Sequence, residues 1–302
     1  MVASGNGLVY TFGGRTGSAP ADVLGSNSVE EYDPRSRALR SQVLLDWQNV
    51  PGRAGHAMVE WTDTGNRRHI VVYGGSAKST ADSSSSTANS SSAELLLSDV
   101  ASFSLQTFKW LQHNDTGPGP SPRKYARAAI WGSNIMLVYG GLLADGTASS
   151  ELWSYNLTAR KWIGAVAPNV TLGDSPPALR SAALTVCGDF LLLYGGYLAN
   201  IVSVPAPSPP PSRPSLVIKG DLFGPSAGGS GTGVLSFVLS KALYAVDLRA
   251  LPAAATWIRA ELVEAATGSP AGATHMAGLD VSAAYDERSD LLTIYSSGAG
   301  KP

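Results

Sequence analysis

The chain has 302 residues, a formal net charge of −1 and only 15% charged residues, enough for one large domain or two small ones. With 22 Lys and Arg against 23 Asp and Glu, it holds no cationic excess for neutralising phosphates, which argues against a nucleic-acid partner. Its 33 glycines, 19 prolines and 44% hydrophobic residues describe a turn-rich, β-rich globular chain rather than a disordered one.

One cysteine, Cys187, excludes an internal disulfide and any multi-cysteine metal site. It closes the apolar stretch "ALTVC" and reads as a small core residue. No apolar run approaches the roughly 20 residues a membrane helix needs. The opening "MVASGNGLVY" lacks the basic start and apolar core of a signal peptide.

Taken in order, the elements repeat. "VYTFGG" (9–14) is a short apolar run ended by Gly13 and Gly14, followed by the alternating "SVEEYDP" (28–34) and then Trp47. "PGRAGHAMV" (51–59) supplies Arg53 and His56 and leads into "HIVVYGG" (69–75), which ends in Gly74 and Gly75. Alone, that stretch could be a strand entering a phosphate-binding loop. "SDVASFSL" (98–105) and Trp110 complete the unit. The third unit runs through "SPRKYARAAI" (121–130) with Arg123, "MLVYGG" with Gly140 and Gly141, "SELWSYNL" with Tyr155, and Trp162. The fourth has "PALRSAALTV" (177–186) with Arg180, "LLLYGG" with Gly195 and Gly196, "KALYAVDL" (241–248), and Trp257. "PAGATHMAGL" (270–279) and "LTIYSSG" (292–298) begin a fifth. Apolar runs bounded by glycine read as buried strands, and alternating runs as half-buried ones.

Four strands per unit in fixed order is what a β-propeller blade requires. On these motifs the chain resembles the kelch-repeat family, and "ELWSYNLTARKW" (151–162) carries the family pattern closely, with Asn156 where Asp is usual. The resemblance implies an all-β propeller of four-stranded antiparallel blades. It places units at about 1–50, 51–113, 121–165 and 177–260, with a partial fifth at 270–298. About four to five blades are present, so the ring is expected to be incomplete as given, the chain being a fragment or needing a partner to close. The resemblance also implies that Arg53, Arg123 and Arg180 sit on innermost strands and bond backbone carbonyls. His56 shares a repeat position with His275, which favours a structural role.

Turns between the first and second strands, and between the third and fourth, are short. The other connections are long. They include a Ser-rich insertion at 76–97, the 142–150 loop and a Pro/Gly-rich insertion at 197–240, where "VPAPSPPPSRPS" reads as polyproline II. Long loops on a rigid scaffold favour binding, so this face is the expected interaction surface.

Catalytic signals are weak. "GPSAGGSGTG" (224–233) lacks the Lys-Ser/Thr of a phosphate loop. His56, His69, His113 and His275 show no metal-ligand spacing. The copper site of galactose oxidase and the acidic-acidic-His pattern of iron-dependent specifier proteins cannot be carried onto this chain. The expectation is a non-catalytic module without cofactor that binds a protein partner. The alternatives are a regulatory kelch region of a larger protein, phosphatase-linked or receptor-like, and a carbohydrate-binding or carbohydrate-processing propeller. Four N-x-S/T acceptors, Asn89, Asn114, Asn156 and Asn169, tilt the compartment towards secreted or luminal without fixing it.

Overall fold

The computed structural model describes residues 1–15, 28–42, 50–78, 94–166, 175–200, 236–239, 243–251, 256–260, 278–286 and 291–298. Among these, every element but one short 3₁₀ turn (Leu248–Ala250) is a β-strand. The first sheet joins β1 (Val2–Ala3), β2 (Val9–Phe12), β3 (Val29–Asp33) and β4 (Ala38–Gln42). The second joins β5 (Ala57–Thr62), β6 (Arg68–Lys78), β7 (Glu94–Ser104) and β8 (Trp110–His113). The third joins β9 (Arg127–Trp131), β10 (Ile135–Tyr139), β11 (Leu152–Asn156) and β12 (Lys161–Val166). The fourth takes β13 (Ala183–Cys187) and β14 (Phe190–Tyr194), passes over the hairpin of β15 (Tyr197–Asn200) and β16 (Ser236–Leu239), and finishes with β17 (Leu243–Asp247) and β18 (Trp257–Ala260). A two-stranded sheet of β19 (Gly278–Asp286) and β20 (Leu291–Gly298) follows.

All pairings are antiparallel, and all but β14 with β17, which are separated by the β15–β16 hairpin, join neighbours in sequence, so each four-stranded sheet runs outward from its first strand. These inner strands, β1, β5, β9, β13 and β19, contact one another in succession. The sheets therefore stand as consecutive blades of a propeller arc that does not close among the described residues.

The core lies between the blades. The second strands of the second and third blades are apolar on both faces because both faces are covered, as Ile70 to Tyr73 and Met136 to Tyr139 show. One cluster joins Tyr10, Phe12 and Val29 to Ile70, Val72 and Phe103 of the next blade. A second joins Val71, Tyr73 and Val100 to Met136, Val138 and Tyr155. A third joins Leu137, Tyr139 and Leu152 to Leu191, Leu193 and Trp257.

The Trp positions follow the same rule. Trp110 packs on Phe12 of the preceding blade at 4.7 Å between ring centroids, Trp162 on Tyr73 at 5.4 Å and Trp257 on Tyr139 at 5.8 Å. In register, Trp110 opposes Phe103 and Trp162 opposes Tyr155, while in the first blade Tyr32 opposes Leu39. Leu39 thus holds the position expected for Trp47, and it is 63% exposed because no preceding blade covers it among the described residues. Trp47 lies outside the described residues.

The double glycines are where blades meet. The Gly75 amide donates to the Arg123 carbonyl of the next blade (2.8 Å), as Gly14 does to Arg53 (2.9 Å) and Gly141 to Leu179 (2.9 Å). Gly140 has φ +69°, and a Cβ there would lie 2.2 Å from the Leu179 carbonyl oxygen. Only glycine fits that approach. Gly132, with a similar φ of +60°, has nothing within 4 Å of a built Cβ. Gly132→Ala should therefore cost about 1 kcal/mol, the left-handed strain alone. Gly140→Ala should cost about 3 kcal/mol or more, because a blade must also move. Urea unfolding of the two variants checks the difference.

Candidate functional site

The alternating topology puts the short 63–67, 132–134, 156–160 and 188–189 turns at one end of the blades and the long connections at the other. The long-connection end is built on two buried arginines just ahead of the innermost strands. Arg53 is fully buried; it donates to the Gly74 carbonyl (3.1 Å) and forks onto the Asp99 carboxylate at 2.6 and 2.8 Å. Arg123, 1% exposed, bonds the Gly140 carbonyl (3.2 Å), the Ser149 hydroxyl (3.1 Å) and Glu151 (2.6 Å). Each guanidinium ties the start of its own blade to that blade's double glycine. The planar fork suits the task, since a lysine could not reach carbonyl and carboxylate together.

Arg180 does not belong to this set. The left-handed residues Gly55, Tyr125 and Ser181 fix the register of the three segments. That aligns Arg53 and Arg123 with Leu179, which is buried, and Arg180 with Ala54 and Lys124. The isolated bridges Ala54↔Ser76, Lys124↔Leu142 and Arg180↔Tyr197 confirm the alignment. The Arg180 guanidinium instead lies over the rings of Tyr125 (5.6 Å) and Tyr197 (5.4 Å).

Further out, Glu94 brackets three blades. It pairs with Arg15 of the first and with Lys124 of the third (2.6 Å). Burial pushes the Lys124 ammonium below its ordinary pKa, against the opposing pull of Glu94. The insertion at 76–97 is no open loop at its root. β6 continues through the glycines past a bulge, and Gly75 to Lys78 pair with Leu97 to Glu94. The 197–240 insertion rises likewise from a stem, Tyr197 to Asn200 against Leu239 to Ser236. The Ser-rich and polyproline tracts within them, 79–92 and 204–215, lie outside the described residues. The 142–150 loop is a closed turn, with Leu143 and Thr147 bonded at 2.9 Å and Asp145 capping Thr147.

His56 stands at the start of β5, its ring edge-on to Phe12 (5.4 Å), and neither nitrogen has a hydrogen-bond partner among the described residues. Burial first, with help from the Arg53 charge, holds its pKa down to about 3, so it is a neutral packing group at neutral pH. His275 lies outside the described residues. Asn156 caps its own turn, accepting the Ala159 amide at 2.8 Å. Asn114 is exposed; Asn89 and Asn169 fall outside the described residues. Cys187 ends β13 half-exposed, not in the core as its apolar run implied, because the turn at Gly188 follows at once.

At the axis, the inner strands surround a cavity of about 460 Å³ whose charged lining is Glu60 and Arg127. Both charges serve the scaffold: Glu60 takes the Ser4 hydroxyl and Gly5 amide of the first blade, and Arg127 donates to Ala182 of the fourth (3.0 Å). No group of three or more metal-ligating side chains occurs among the described residues. None of their helices is long and apolar enough to cross a membrane.

The family model described as the "KLHDC2/KLHL20/DRC7 Kelch-repeats domain" matches residues 1–203, and the chain belongs to that kelch-repeat family. Such domains are typically protein-interaction modules. In the rat "Multiple epidermal growth factor-like domains protein 8", 152 residues are 33% identical, covering 48% of this chain and 5% of that protein. The human protein of the same name is 37% identical over 109 residues, covering 34% of this chain and 4% of its own length. The Drosophila melanogaster "Leucine-zipper-like transcriptional regulator 1 homolog" is 29% identical over 100 residues, covering 33% of this chain and 10% of that protein. The chain thus spans a small part of these relatives. Among solved structures, that titled "Structure of YjhT" superposes with a TM-score of 0.50 at 14% identity, covering 89% of this chain and 66% of that one, a likeness of fold.

The Asp99–Arg53 pair carries a testable consequence. Burial pushes the Asp99 carboxyl up, but the Arg53 hydrogen bonds and charge outweigh it and hold the carboxyl below its ordinary value. A depressed folded pKa stabilises fully above the unfolded value of about 3.9 and is lost as pH falls through the folded one. Asp99→Asn, which strands a buried guanidinium, should cost about 3 kcal/mol at pH 7. The gap between variant and parent in urea unfolding should narrow as pH drops below 4.

Proposed function

We propose that this chain is a non-catalytic kelch module that seats a protein partner on its long-connection face, through the 76–97, 142–150 and 197–240 segments. The observation that carries this reading is the pair of hairpin stems, Gly75 to Lys78 with Leu97 to Glu94 and Tyr197 to Asn200 with Leu239 to Ser236. They project from the one end of the blades where buried arginines and the Arg15–Glu94–Lys124 bracket make the scaffold rigid. Binding sites concentrate on loops held by such frames. The polar groups there are spent on one another, which supports a platform rather than a reaction centre.

A role as one segment of a larger multidomain protein is favoured by a separate observation, the small share of the curated relatives that the chain spans. The two readings are compatible.

Replacing 201–235 with a two-residue turn leaves the β15–β16 stem able to close. Partner recovery in a pull-down should fall strongly with that variant and fall further when 79–93 is also shortened, while circular dichroism stays unchanged. Full recovery with both insertions and the 142–150 loop shortened would overturn the reading.

A further inference from the structure

The opposite, short-turn end holds a cavity of about 360 Å³ in the wedge between the second and third blades. Strand register explains what faces it. Trp61 pairs with His69, His69 with Ser104, and Ser102 with Leu111, so all of these point to the same side of the second blade. Two residues beyond Leu111, His113 shares that side and reaches across to the third blade, its Nδ1 lying 2.9 Å from the Tyr155 hydroxyl. Its Nε2 lies 3.0 Å from the Ser102 hydroxyl.

The third blade shows how unusual this face is. Register puts Ile135 where the second blade has His69, and Val166 where it has His113. Both pack onto the apolar core shared with the fourth blade. In the second blade the same wedge is left open and lined by imidazoles, hydroxyls and an indole.

The charge at its mouth is one-sided. Arg67, Lys109 and Arg160 line the cavity, against the single carboxylate of Asp63. Asp63 is already engaged by the Arg67 guanidinium (2.8 Å), the amides of Gly65 and Arg67 (2.9 Å each) and His69 (3.3 Å). Lys109 and Arg160 therefore face the opening with no second carboxylate among the described lining residues. The Ser104 hydroxyl accepts the amides of Gln106 and Thr107, which leaves its own proton to donate. Burial, then the Arg160 and His69 charges, hold the His113 pKa down to about 4, consistent with a positive field in the wedge.

We infer that this cavity binds a small aromatic anion, its ring among Trp61, His69 and Leu111 and its carboxylate, sulfate or phosphate group between Lys109 and Arg160. The volume admits one ring with its anionic substituent and falls in the range of small-ligand sites. The site lies at the opposite end from the proposed partner face and does not depend on that reading.

Phenyl phosphate is the test probe, with phenol and inorganic phosphate as its separated halves. The reporter is the Trp61 indole N–H resonance, assigned with Trp61→Phe and held in place by a bond to the Ser133 carbonyl (2.8 Å). Phenyl phosphate should shift that resonance saturably and bind more than about tenfold tighter than either half. Lys109→Gln combined with Arg160→Asn should weaken it by about tenfold or more while phenol is unaffected. Leu111→Glu, at a 42% exposed position, should do the same without unfolding the chain. Absence of saturation, equal binding of phenol and phenyl phosphate, or unchanged affinity in both variants would overturn the inference.

Discussion

The described blades hang from one backbone contact repeated at the first three blade junctions. The second glycine of a blade donates its amide to the carbonyl that begins the next, as Gly14 to Arg53, Gly75 to Arg123 and Gly141 to Leu179. The first glycine of each pair lies so close to that carbonyl that a side chain cannot stand there. Two of the three carbonyls belong to arginines whose guanidinium groups reach back to their own blade's glycine carbonyl. Glycine amide, arginine carbonyl, guanidinium and glycine carbonyl thus run on from blade to blade. The Trp residues close the same junctions from the outer strands, each on the aromatic ring just before the preceding double glycine.

Much of this was legible in the sequence because close packing restricts residue type. A glycine against a carbonyl and a large ring against a neighbouring blade admit few substitutes, so the "YGG" and Trp repeats survive as visible motifs. Register was harder. Arg180 looked like the partner of Arg53 and Arg123, but the residue that sets the alignment is the left-handed one, occupied by Gly55, Tyr125 and Ser181 in turn. Only the first of these is a residue type that announces such a conformation. The first blade's fourth strand shows a related effect, although Trp47 itself lies outside the described residues. The hairpin turn puts Leu39 opposite Tyr32, and an exposed position exerts no demand for a large ring.

The two ends of the blades divide the surface. At the long-connection end, charges are spent inward on holding blades together, and what projects is backbone on paired stems. The open glycine turn of "HIVVYGG" is there a bulge through which β6 continues into such a stem. At the short-turn end, the first residue of that same stretch, His69, meets Ser102 and His113 at a wedge where the third blade instead has aliphatic groups. No sequence spacing betrays that meeting, because the histidines sit on different strands and are brought together only by sheet register.

The amide exchange of Gly14, Gly75 and Gly141 tests the junction contact most directly. If these bonds hold the blades together, the three amides exchange only on global unfolding, with protection close to the full stability of the chain. Protection no greater than that of Gly65 and Gly117, whose amides make solvent-exposed bonds to turn aspartates, would contradict it.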